Sequence, residues 1–166
     1  MSESTRSLGS ERAVVLTAAL AAMLLPLNST MIAVAIPDIA RDFGDAGSAT
    51  WLVSGYLIVM ASLQPLAGKL GDRFGRRPLI LGGLGWFAAS LGAALAPNLL
   101  VLIAFRLQQA VAGALAFPNA IALVRELLPV ERRGAAFGTL GSAIALAAAA
   151  GPPLGGVLVA LGGWRA

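Results

Sequence analysis

Histidine and cysteine are both absent from this 166-residue chain. That removes the commonest zinc sites, thiol nucleophiles, disulfides and imidazole acid–base chemistry, so neither an enzymatic activity nor a metal site is expected. Charge is scarce as well. Asp, Glu, Lys and Arg make up 12% of residues, about half the roughly 25% of an ordinary soluble domain. A soluble domain of this length must cover a large surface with polar groups. With 58% hydrophobic residues and a mean hydropathy of +0.83, this chain lacks them, and its expected environment is a lipid bilayer.

Five apolar segments account for nearly all of the sequence. Residues 13–36, 50–67 and 78–97 carry no charge, 99–124 holds only Arg106, and 134–163 carries none. Each meets or passes the roughly 18–20 residues a helix needs to cross about 30 Å of hydrocarbon. Gly and Pro inside them do not count against helix, since membrane helices tolerate both. The expected fold class is an all-α integral membrane protein with five spans and a polar N-terminal tail, residues 1–12, whose first ten residues read as disordered. The first apolar run exceeds the usual 7–15 residues of a signal peptide and reads as a retained span.

The intervening polar breaks orient these spans. Arg6 and Arg12, then Lys69, Arg73, Arg76 and Arg77, then Arg125, Arg132 and Arg133 fall on one side if the spans alternate; that is nine of 12 basic residues. The positive-inside rule makes that side, and the N-terminus, cytoplasmic. The isoelectric point of about 11.1 is therefore a topology signal, and no nucleic-acid partner is expected.

Polar residues within spans are candidates for function. Arg106, followed by Gln108 and Gln109, is costly in hydrocarbon unless it faces a partner or a wet cavity; alternatively it snorkels to the outer interface, roughly 10 Å away at 1.5 Å per residue. Asn28, Ser29 and Thr30 either line a pathway or bond to the backbone and neighbouring helices, and Gln64 reads the same way. No Asp or Glu lies within any span. In the fifth span Gly134, Gly138 and Ser142, and Gly151 and Gly155, are spaced by four, which lets a partner helix come close. Pro152-Pro153 removes two backbone donors and is expected to bend this helix before Gly155-Gly156.

The break Gly68-Lys69-Leu70-Gly71-Asp72-Arg73-Phe74-Gly75-Arg76-Arg77 is the most specific feature. Glycines at 68 and 75 permit tight turns and close helix ends, and one Asp among four cations points to a specific ion pair or helix-end contact. This stretch resembles the G-x-L-x-D-R-x-G-R-R motif of the major facilitator superfamily at Gly68, Leu70, Asp72, Arg73, Gly75, Arg76 and Arg77. Arg106 and Gln109 are similar to its fourth-span R-x-x-Q motif. Gly138, Gly151, Pro152, Gly155 and Gly156 are similar to its fifth-span antiporter motif, G-x8-G-x3-G-P-x2-G-G. Residues 27–37, LNSTMIAVAIP, resemble the L-D-x-T-I-V-N-V-A-L-P signature of the 14-span drug:proton antiporters (EmrB/QacA type).

The resemblance implies five helices that form most of an N-terminal six-helix bundle. It implies a multi-pass protein of the cell membrane, driven by a proton gradient without a bound cofactor, exporting amphipathic or cationic small molecules by alternating access. Asp72 would join Arg73 and Arg76 in a charge relay that latches the cytoplasmic ends of the two halves. Arg106 and Gln109 would serve proton coupling, and the Gly151-Pro152 bend would suppress leak by close packing. Five positions depart mildly or strongly from the pattern: Asn28 replaces the signature Asp, Ala33 its Asn, Ala110 and Ala112 two fourth-span glycines, and Ala147 one antiporter-motif glycine. Asn28 cannot release a proton, so coupling would need a carboxylate elsewhere. Against 12 or 14 spans in the family, the chain is expected to correspond to a fragment ending after the fifth span. Its partner would be the missing C-terminal half, or a full-length relative if the chain is instead a short, non-transporting regulator.

Overall fold

The structure is a computed structural model that describes the backbone of residues 2–165 and the side chains of residues 11–165 other than 46 and 89–91. It is built from helices, with no strand among the described residues: α1 (Ser2–Phe43), the single turn α2 (Ala46–Ala49), α3 (Trp51–Phe74), α4 (Arg76–Ala89) continued by a 3₁₀ segment (Ser90–Leu95), α5 (Leu99–Leu127), α6 (Val130–Gly162) and a last 3₁₀ turn (Gly163–Arg165). Five of these units are long and apolar enough to cross a membrane.

The helices outrun the apolar segments that predict them. The tail expected to be disordered is carried into α1 from Ser2, because extending an existing helix adds one hydrogen bond per residue fixed. Likewise the Gly68–Arg77 break is mostly helix: α3 continues to Phe74, and the chain turns at the single residue Gly75. Gly75 has φ +90°, where a side chain would be strained, and its N–H bonds to the Gly71 carbonyl at 3.0 Å. Between α5 and α6 the turn is made by Leu128-Pro129. Leu128 is extended, with ψ 140°, as a residue before proline should be; Pro129 then opens α6. Asn98 caps α5, its side chain accepting from the Val101 N–H at 2.9 Å.

α5 is the central helix, with half of its apolar window buried against 13–28% for the others. Small residues almost all round its surface explain this: Ala110, Ala112, Gly113, Ala114, Ala116 and Ala120 are all buried, and a helix apolar on every face belongs inside. A Cβ on Gly83 of α4 would lie 2.7 Å from the Ala112 carbonyl oxygen, so that approach requires glycine. α6 packs on α1 in the same manner, a Cβ on Gly155 lying 3.0 Å from the Met31 backbone. The helix assignment runs through Pro152-Pro153 without a break. Large exposed side chains such as Leu95, Leu100, Leu146 and Leu161 face outward, as expected for contact with lipid.

Two apolar clusters fill the ends of the bundle. One joins Ala18, Ala21, Ile80, Val124, Leu128, Ala136 and Leu140 near the basic end. The other joins Ala35, Ile39, Leu52, Leu99 and Leu102 at the opposite end, with Trp164 against it. The polar residues of the spans lie between them.

Candidate functional site: a buried guanidinium beside a cavity

Arg106 is 2% exposed, so the snorkelling alternative fails: the side chain turns inward. Its Nε donates to the Leu52 carbonyl of α3 at 3.1 Å, and its Nη1 donates to Asn28 Oδ1 of α1 at 2.9 Å and to Gln109 Oε1 at 2.5 Å. Asn28 Nδ2 donates to the same Gln109 oxygen at 3.1 Å. The guanidinium lies over the Tyr56 ring, 4.5 Å from its centroid. Three helices thus converge on one cation. Among the described residues every acceptor it meets is neutral, and Nη2 is buried with no hydrogen-bond partner.

Asn28, Arg106 and Gln109 line a cavity of about 210 Å³ between α1, α5, the 3₁₀ segment after α4, and α6. Met31, Ile32, Leu102, Leu158 and Val159 supply apolar walls, and Trp164 and Arg165 stand at its far end. The polar step of the first span therefore divides. Asn28 faces the cavity and the guanidinium, whereas Thr30 Oγ bonds back to the Pro26 and Leu27 carbonyls at 2.7 and 3.2 Å. Gln108 reaches the Trp86 carbonyl at 3.3 Å on the outside of the bundle, and Gln64 is half-buried.

A second polar cluster sits at the basic end. Arg76 Nη2 pairs with Asp72 Oδ1 at 2.7 Å and its Nε with Glu126 Oε1 of α5 at 2.5 Å. Nη1 points to Asn119 Oδ1 at 3.5 Å. Arg73 does not share this arrangement: its guanidinium lies 5.4 Å from the Phe74 ring centroid, and among the described residues it pairs with no carboxylate. One helical position from Asp72 turns it about 100° away. Leu70 is half-buried and Arg77 exposed. Gly68, expected to bracket a turn, lies within α3 with nothing within 4 Å of a Cβ built on it; the crowded glycine is Gly71, whose Cβ would collide with the Asn119 amide, 2.9 Å from its Cγ. Asn119, fully buried, donates to the Ala67 and Leu115 carbonyls at 3.1 and 2.8 Å. Sequence reading missed Gly71, Asn119, Glu126 and Tyr56. Asn119, a lone amide after Pro118 in an apolar run, carried the signal.

The fifth-span residues expected to form an antiporter motif also divide. Gly151 and Gly155 pack on α1, at Thr30 and Met31, while Gly138 and Gly156 have no atom within 4 Å of a built Cβ, and Pro152 is exposed. At the far end, Asp42 Oδ2 accepts from Trp164 Nε1 and Arg165 Nη1, both at 2.9 Å, closing α6 onto α1.

Known proteins carry the same sequence pattern. Residues 18–166 match the family described as Major Facilitator Superfamily. The chain is 47% identical over 157 residues to the MFS-type transporter YvkA of Bacillus subtilis, 37% over 153 to the tetracenomycin C resistance and export protein of Streptomyces glaucescens, and 34% over 158 to the multidrug transporter protein MdtP of B. subtilis. These matches cover 93%, 91% and 94% of this chain but 35%, 28% and 29% of the relatives, so the chain spans about a third of their length. With a family match over nearly all of its residues, this chain belongs to the major facilitator superfamily.

Proposed function

We propose that this chain forms one wall of a proton-coupled multidrug efflux antiporter, of the 14-span drug:proton type, which exports amphipathic small molecules across the cell membrane by alternating access. The observation that carries this reading is the Asn28–Arg106–Gln109 cluster, with its buried guanidinium, on the wall of a mostly apolar cavity, the composition expected of a small-molecule site. Export-named and multidrug-named relatives support it. In this reading the N-terminus and the Asp72–Arg76–Glu126 cluster are cytoplasmic, following the basic-residue bias. Arg76, tied to both α3 and α5, would hold that end closed, and release of its pairs would accompany rocking of the bundle. The 166-residue chain alone would not transport, because a cavity walled by five helices lacks a second half to close against.

A swap tests both statements. Residues 13–166 replace the matching segment of MdtP, and efflux of a fluorescent amphiphile is followed in everted vesicles. The chimera should export, should stop when the pH gradient is collapsed, and should fail as Arg106→Met, while the 166-residue chain in proteoliposomes stays inactive. An inserted chimera that exports regardless of the gradient would exclude proton coupling, and transport by the chain alone would exclude the one-wall reading. A second reading, a non-transporting partner of a full-length relative, is favoured by the unoccupied small-residue face at Gly134, Gly138 and Gly141, where another helix could dock.

A further inference from the structure

We propose that the cavity beside Arg106 is an anion site, and that the ligand it takes carries a carboxylate or is itself a small inorganic anion. Arginine stays protonated in proteins, and a buried charge needs a counter-charge or dense hydrogen bonding. Here the guanidinium is 2% exposed and has only neutral acceptors, the Leu52 carbonyl and the amide oxygens of Asn28 and Gln109. One of its nitrogens, Nη2, is buried with no partner among the described residues. The cavity wall repeats the imbalance: its charged lining residues are Arg106 and Arg165, with no Asp or Glu. Arg165 is already paired with Asp42, which leaves Arg106 as the unmatched charge. Its surplus positive charge works against a cationic ligand and favours an anion that pairs with the guanidinium. The space is adequate for an aromatic acid: at about 210 Å³ it exceeds the roughly 150 Å³ that suffices for benzene in an engineered apolar cavity.

This assignment names the ligand class of the site used in the transport reading and rests on that reading only for calling the ligand a substrate; a binding measurement fails or succeeds without transport. Purified full chain in nanodiscs is titrated with benzoate, with its neutral isostere benzamide and with benzylammonium, at fixed ionic strength with a bulky sulfonate as the background anion. Binding is read from tryptophan fluorescence, to which the cavity-lining Trp164 contributes, and from the thermal unfolding midpoint. Benzoate should bind and stabilise, and benzamide and benzylammonium should not. Asn28→Asp and, independently, Gln109→Glu place a carboxylate on the same guanidinium, and each should weaken benzoate on the order of tenfold or more. If chloride competes with benzoate, free inorganic anions are a source of the ligand; if it does not, the carboxylate of an organic compound is the source, and both support the site. Equal binding of benzamide, undiminished benzoate binding by a folded carboxylate variant, or no binding of benzoate or chloride overturns it. If neither variant folds, the wild-type discrimination among the three isosteres still decides.

Discussion

Substituting alanine at Gly71 and at Gly68, one helical turn apart in α3, should move stability in opposite directions. In an exposed helix interior Gly→Ala stabilises by about 0.5–1 kcal/mol, because alanine loses less backbone entropy. Gly68 has nothing within 4 Å of a built Cβ, so Gly68→Ala should follow that rule. At Gly71 the new methyl would meet the Asn119 amide. Asn119 is fully buried and holds the Ala67 and Leu115 carbonyls. Displacing it puts at risk two hydrogen bonds of about 0.5–1.5 kcal/mol each and adds about 1–3 kcal/mol of overpacking. Less the propensity gain, Gly71→Ala should destabilise by about 1–5 kcal/mol. Asn119→Ala removes the obstacle, so the double variant should recover part of the loss. Unfolding of the chain by SDS titration in mixed micelles, followed by circular dichroism, measures wild type and all four variants. A Gly71→Ala variant as stable as wild type, or a double variant showing simple additivity, would refute the packing argument.

The same steric logic separates the fifth-span glycines: Gly155→Ala, facing the Met31 backbone at 3.0 Å, should cost about 1–3 kcal/mol, while Gly138→Ala and Gly156→Ala should lie within about 0.5 kcal/mol of wild type or above it, all read by the same titration. Arg76→Gln removes the pairs to Asp72 and Glu126. Since both carboxylates are half or more exposed, the loss should be about 1–2 kcal/mol and should shrink at high salt, whereas Arg73→Gln should have an effect below about 0.5 kcal/mol. Asp45 caps α2, and hydrogen bonds from the Ser48 side chain first, then its backbone, hold the carboxyl below its ordinary pKa. Its contribution is therefore complete above about pH 4 and is lost as pH falls through the lowered folded value. Asp45→Asn, which keeps an acceptor, should remove that acid-induced loosening, as measured by amide exchange of Ser48.

The helices and their punctuation were legible because their causes are local. Gly75 ends α3 for a backbone reason that the residue type states directly. Helix ends were misjudged because absence of charge marks hydrocarbon, not helix. Lys69, Asp72 and Arg73 continue α3 beyond the apolar run, and Asp38, Arg41 and Asp42 continue α1. The direction of Arg106 was not legible, since sequence gives its depth in the span but not which neighbours surround it. Likewise Gly68 and Gly71 are equivalent in composition and near one another on the helix face, and only the position of Asn119 on α5 decides which of them is indispensable. Arg73 and Arg76 share a motif, yet Arg73 lies inside α3, turned about 100° from Asp72, whereas Arg76 lies past the turn at Gly75, where it meets both Asp72 and Glu126.

Asn28 shows how a single departure from a motif can be read physically. An aspartate there could accept from Arg106 as Asn28 Oδ1 does at 2.9 Å, but it could not donate, as Asn28 Nδ2 does, to Gln109 at 3.1 Å. The amide uses both of its ends, and Gln109 Oε1 in turn accepts from Asn28 and from Arg106. The cluster is therefore self-consistent as a neutral-acceptor network around a cation. Restoring the carboxylate would exchange one hydrogen bond for a charge pair and would set two acceptor oxygens against each other. Asn28 thus keeps the geometry of the site while changing its net charge by one unit. That change removes the titratable group from the guanidinium's neighbourhood and leaves its charge for the occupant of the cavity to balance.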